Sequence, residues 1–121
     1  MNAEDHRRIA RRIERSLAKL GAGDCEMKIE GAMLAGTHWV NAALHDMGVT
    51  PAASDLFHTY LLTVNEYRRL SVAGEMLVPA LAEIEDLRPP FVRGDQPGGE
   101  QAAERALVLL AQIRGAAAEQ A

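Results

Sequence analysis

The sequence predicts an all-α fold, an antiparallel up-and-down bundle of four main helices with a possible short extra helix between the second and third. Three observations carry this expectation. Apolar residues recur at spacings of three and four along four separate segments. Aromatics make up only 4% of the chain, and Ala, Leu, Glu and Arg, all good helix formers, outnumber the β-branched residues. Gly21, Gly48, Pro89-Pro90 and Gly98-Gly99 fall between the periodic segments, and short connections of that kind join antiparallel neighbours. With 121 residues the chain is one domain, 1–121, long enough for a single core.

The first helix is expected over 3–20, where Ile9, Ile13, Leu17 and Leu20 share a face and Gly21 stops the run. Asp24 then stands as the N-cap of a second helix over 25–47, closed by Gly48. Its main stripe is Ile29, Met33, Gly36, Val40, Ala43, Leu44 and Met47. The opposite arc carries Met27, Gly31, Leu34, Ala35, His38, Ala42 and His45, and Glu30 is the one formal charge between Ile29 and His45. A helix this poor in charge is buried on more than one side, so it forms the centre of the domain or a second interface.

Thr50-Pro51 is a fit start for a short helical turn, and 56–62 reads as either a short helix or an irregular packing segment. Thr63-Val-Asn-Glu66 has the capping-box pattern that opens a third long helix, with Tyr67, Leu70, Gly74, Leu77, Leu81 and Ile84 along one side. Pro79 should kink that helix, and Arg88-Pro89-Pro90 should end it near Leu87. RGDQPGG (93–99) is a polar loop. The last helix, 100–114, stops at Gly115 and leaves AAAEQA as a frayed tail.

Charge divides unevenly. Residues 1–20 carry a net +3 and the remainder a net −7, so a basic first helix sits on an acidic body. Arg8, Arg11, Arg12, Arg15 and Lys19 gather on one flank of it, a surface for phosphates or, on the plainer reading, a solvated face. No apolar run reaches the ~18 residues of a membrane span, and the N-terminal stretch has no secretory h-region. The single cysteine, Cys25, excludes an internal disulfide framework and reads as a small core residue; a cytoplasmic, non-membrane protein is expected.

Histidines are the remaining candidates for chemistry. His38 and His45 share a face but lie ~10 Å apart along a straight helix, too far to chelate one ion with bonds of ~2.1 Å. Asp55 and His58 have a carboxylate–imidazole i, i+3 spacing that could supply two ligands, with His38 or His45 as a third. His-x-x-His, His-x-x-x-His and the Glu-x-x-His of di-iron bundles are absent, and no metal site is assigned. Phosphate-binding glycine loops and a readable nucleophile triad are also missing, so no catalytic residue or cofactor is assigned. The plainer reading makes His38, Asn41 and His45 a polar stripe that bonds to a neighbouring helix or across a dimer, or that lines a pocket.

The stretch SLAKLGAGDCEMKIEGAMLAGTHWVNAALHDMGV (16–49) resembles the core of HEPN domains. It has a helix, a Gly-Asp connector, and a central helix of small residues with a histidine midway and an apolar end before Gly. His58 and LRPPFVRG (87–94) are similar to that family's layout, so the likeness runs over roughly 16–94. It implies an up-and-down bundle, often dimeric, in proteins linked to RNA cleavage, toxin–antitoxin pairs or nucleotide binding. The Arg that precedes the His by four to six intervening residues in the family's ribonucleases has no counterpart before His6, His38, His45 or His58.

The function expected is therefore a non-catalytic, dimeric binding or regulatory module. Its interface or pocket would use Leu34, His38, Asn41, His45 and His58, and its partners would be a second copy, another protein or a small ligand. The alternative is a nucleotide- or RNA-processing enzyme with His38, His45 or His58 as acid/base and the Arg8–Lys19 flank on phosphates. Such RNA binding would weaken steeply with salt.

Overall fold

A computed structural model describes residues 1–121, and it is all-helical. Five α-helices follow in order: α1 (Ala3–Leu17), α2 (Cys25–Asp46), α3 (Val64–Ser71), α4 (Val78–Asp86) and α5 (Gly99–Gln120). A 3-10 turn covers Thr59–Leu61, and a π-helical turn covers Pro89–Arg93. No helix is long and apolar enough to cross a membrane.

α2 occupies the centre, packing against α1, α4 and α5. Ile29, Val40, Leu44, Leu81, Ile84 and Ile113 from α2, α4 and α5 are fully buried together. Small residues let α2 be enclosed: Ala32, Ala35, Gly36, Ala42 and Ala43 are all buried. At Gly31 the approach of α1 is so close that a Cβ would lie 2.9 Å from Leu17 Cγ. Trp39 fills the seam between α1 and α2 and donates its indole N–H to Glu14 (2.7 Å).

Several boundaries differ from the sequence reading. The third helix expected over 63–87 is two helices, because the chain turns through 72–77. Pro79 consequently sits in the first turn of α4, where its missing N–H is harmless, and kinks nothing. Asp24 stands before α2 but caps no α2 N–H; its carboxylate accepts from Gly21 N (2.7 Å) and closes the connector instead. The segment after Pro51 is a turn rather than a helical start, with Ser54 N donating to Pro51 O (2.9 Å). Past Leu87 the α-helix does end, yet a π turn carries the chain through both prolines. α5 does not stop at Gly115 and the tail is not frayed: the helix continues to Gln120, with Ala117 buried against the core.

The capping box at Thr63 is present in full. Glu66 N donates to Thr63 Oγ1 (3.1 Å), and Thr63 N donates to Glu66 Oε1 (3.0 Å). Because α3 has only eight residues, Thr63→Ala is expected to lower stability by about 1 kcal/mol in urea unfolding. An unchanged midpoint would show that tertiary packing alone holds α3.

Candidate functional site

The side chains with chemical capacity meet where α1, α2 and the segment 49–58 come together. His6, on the buried side of α1, is only 2% exposed. It belongs to the apolar stripe one turn before Ile9 and Ala10, which explains why an imidazole points inward there. His38 and His45 project from α2, and their rings stand 5.1 and 5.4 Å from that of His6, centroid to centroid. Asp55 completes the group. Its Oδ1 lies 2.8 Å from both His6 Nε2 and His45 Nε2, and its Oδ2 accepts from the Met1 amino group (3.1 Å).

Asn41 puts Asp55 there. The amide is 1% exposed on α2 and clasps the backbone of Leu56, accepting from Leu56 N (2.7 Å) and donating to Leu56 O (2.7 Å). Its second N–H goes to Thr37 O (2.9 Å). A polar residue inside the core is thus fully satisfied, as buried amides must be. It fixes the residue next to Asp55 against the helix that carries His38 and His45.

Electrostatics follow from this packing. Burial alone would raise the Asp55 carboxyl, but hydrogen bonds from His6, His45 and the Met1 amino group overcome it and hold the group down to about 2. Burial pushes the His38 imidazole below its ordinary value, and the neighbouring His6 lowers it further.

A cavity of about 310 Å³ opens beside the cluster. Leu34, His38, Asn41 and His58 line it together with His6 and Asp55, whereas His45 lies outside its lining. His58 shares the cavity but turns its ring elsewhere: Nδ1 is 3.0 Å from Glu85 Oε2, and the ring stacks on Tyr60 at 4.6 Å. The long axial separation of His38 and His45 matters as the sequence spacing indicated, since the group able to share one ion is His6, His45 and Asp55 without His38.

His6 and Glu85 are the residues that the sequence reading missed. His6 gave one local signal, a histidine in register with the apolar stripe of α1. Glu85 gave a similar one, lying beside Ile84 on the buried side of α4.

Of the basic flank of α1, Arg12 comes near enough to His38 to add to the lowering of its imidazole. Arg8 pairs with Asp5 at 3.5 Å, and Arg11 lies 3.9 Å from Glu4 with its guanidinium over the Trp39 ring. Arg12 and Arg15 are exposed on α1, whereas the helix expected over 3–20 ends at Leu17, so Lys19, also exposed, lies in the turn beyond it. Cys25 is half-buried against the core. No protein-family model, curated protein or solved structure matches this chain.

Proposed function

We propose that the chain is a HEPN-like antiparallel helical bundle that works as a non-catalytic binding module and pairs with a second copy of itself. The exposed apolar strip along α2 and the following segment carries this reading. Met27 and Leu34 are the exposed large apolar side chains of α2, at 55% and 48%, and Phe57, 69% exposed, lines the same cavity as Leu34. Leu34 and Phe57 flank one depression, and Met27 and Leu34 flank the next, an apolar groove of about 250 Å³ with Ile13, Leu17 and Leu20. Protruding side chains and a groove of the same character on one patch suit a two-fold contact, in which each copy presents both parts. Large apolar groups clustered on a surface mark such contacts, whereas scattered ones do not. The cavity by His38 and His58 then serves as the seat of a small ligand within the paired module, and Arg12, Arg15 and Lys19 remain free for an acidic partner.

Light scattering coupled to gel filtration tests the pairing. The wild-type protein is expected at twice the chain mass, and Leu34→Arg, which places an unpaired charge in the middle of the strip, at the chain mass. A monomeric wild type, or a variant that still pairs, would overturn the reading.

A further inference from the structure

Two imidazoles and a carboxylate converge on one point from three separate parts of the chain. His6 Nε2 and His45 Nε2 each approach Asp55 Oδ1 to 2.8 Å, and one ligand atom from each residue lies within 4.8 Å of the others. Bonds of ~2.0–2.2 Å from a tetrahedral ion place its ligand atoms ~3.3 Å apart. Seating an ion here therefore asks each nitrogen to withdraw from Oδ1 by about half an ångström and the two nitrogens to stand about as close to each other as to Oδ1.

The outer nitrogen of His45 is held in place as well. Its Nδ1 has two neighbours, Thr50 Oγ1 at 2.8 Å and the Thr50 carbonyl oxygen at 3.0 Å. A carbonyl oxygen only accepts, so this contact asks for a proton on Nδ1. In a neutral ring that choice turns the bare lone pair of Nε2 onto Asp55 Oδ1, acceptor against acceptor. The opposite tautomer satisfies Asp55 through Nε2–H and lets the Thr50 hydroxyl donate to Nδ1 (2.8 Å). A cation between Nε2 and Oδ1 suits the first tautomer, since Nε2 then donates its pair to the ion and Nδ1–H bonds to Thr50 O. His6 is arranged alike: Nε2 faces Asp55, while Nδ1 meets His38 Nδ1 at 2.9 Å. An outer ring nitrogen engaged by a carbonyl or another acceptor is the arrangement that fixes tautomer and ring orientation in metal-ligating histidines.

We propose that His6, His45 and Asp55 form a binding site for a divalent transition-metal ion of the zinc type, with the Thr50 carbonyl and His38 holding the two imidazoles in place. Two nitrogens and one carboxylate oxygen select first-row transition ions over Mg2+ and Ca2+, which favour all-oxygen shells. Three protein ligands leave a coordination position open, and because His6 and Asp55 also line the cavity, a small ligand held there could reach the ion. The site lies within one chain and does not require the paired state.

Metal titration of the full chain tests the site, with Zn2+ followed by calorimetry and Co2+ by visible absorption after removal of bound ions with a chelator. One ion per chain is expected, with the intense ligand-field bands of low-coordinate Co2+. His45→Ala and Asp55→Asn should each weaken binding by roughly 100-fold or more, and His38→Ala by ~10–100-fold through the orientation of His6. Val72→Ala, at a side chain 87% exposed between α3 and α4, should bind as the wild type does. Asp55→Asn keeps the side-chain shape, and its circular-dichroism melt confirms folding should His45→Ala fail to fold. Native mass spectra report metal and subunit count separately, so a monomer carrying one ion supports the site while removing the pairing reading. Absence of uptake from a roughly tenfold excess of Zn2+, or equal uptake by wild type, His45→Ala and Asp55→Asn, overturns the site. The first result would mean that hydrogen bonds alone join Asp55 to the two imidazoles, with the Thr50 hydroxyl donating to His45 Nδ1.

Discussion

Glu85→Ala is expected to destabilise the protein by about 3 kcal/mol, because it strips the acceptor from a buried donor set. The carboxylate is 5% exposed on α4 and accepts from Thr59 N through both oxygens (3.2 and 3.1 Å), from Thr59 Oγ1, and from His58 Nδ1 (3.0 Å). Thr59 is itself buried, so its N–H and O–H would lose their partners away from water, each at about 1–3 kcal/mol. Truncation also removes the buried methylene stem of Glu85. Glu85→Gln keeps the shape and one acceptor oxygen, and the loss there should be no more than about half as large. Urea unfolding of the two variants separates the contributions. A difference between them below about 0.5 kcal/mol would mean that the stem, and not the hydrogen bonds, holds the 58–59 segment to α4. Hydrogen exchange adds a local readout, since the Thr59 amide should lose its protection in Glu85→Ala before the core amides of α2 do.

The helices that periodicity and punctuation define together are the ones that could be read from the sequence. α2 is bounded by a turn before Cys25 and by Gly48, whose φ of +71° suits glycine, and its buried residues include the predicted stripe from Ile29 to Leu44. Its enclosure was visible in the lack of charge. The turn between α3 and α4 was not visible, because the spacing of Tyr67, Leu70, Leu77, Leu81 and Ile84 runs through it unchanged. Periodicity reports which residues face the core, and two short helices laid on that core can continue one pattern across a change of direction. Pro79 held the better information, being a good first-turn residue and a poor interior one. Gly115 misled in the other direction: a mid-helix glycine costs about 1 kcal/mol, which the burial of Ala117 one half-turn later can offset. The histidine–aspartate cluster was legible only in pieces. Asp55 and His45 were visible as chemically capable residues, but His6 joins them across 49 residues of chain from Asp55, and no local spacing encodes that contact.

Asn41→Ala is expected to have a still larger effect, about 4 kcal/mol, and to dismantle the candidate site as well. Leu56 is buried, and Asn41 is the partner of both its N–H and its carbonyl. Removing the amide leaves two backbone groups unsatisfied at about 1–3 kcal/mol each, unless the 49–58 segment lifts off α2 to reach water. Either outcome releases Asp55, the next residue along, from its position 2.8 Å from His6 and His45. Asn41→Asp discriminates between packing and hydrogen bonding, because it keeps the volume and the acceptor for Leu56 N. It nevertheless turns the donor facing Leu56 O and Thr37 O into another acceptor, so it should be nearly as damaging as Ala at neutral pH. If Asn41→Asp were as stable as wild type, the clasp would be a matter of shape alone. Metal affinity supplies the second readout. Asn41 touches none of the three ligands, yet Asn41→Ala should lower Zn2+ binding while Val72→Ala, at an exposed site between α3 and α4, leaves it intact. That contrast would locate the amide's role in holding the segment that carries Asp55, the one ligand that no helix positions.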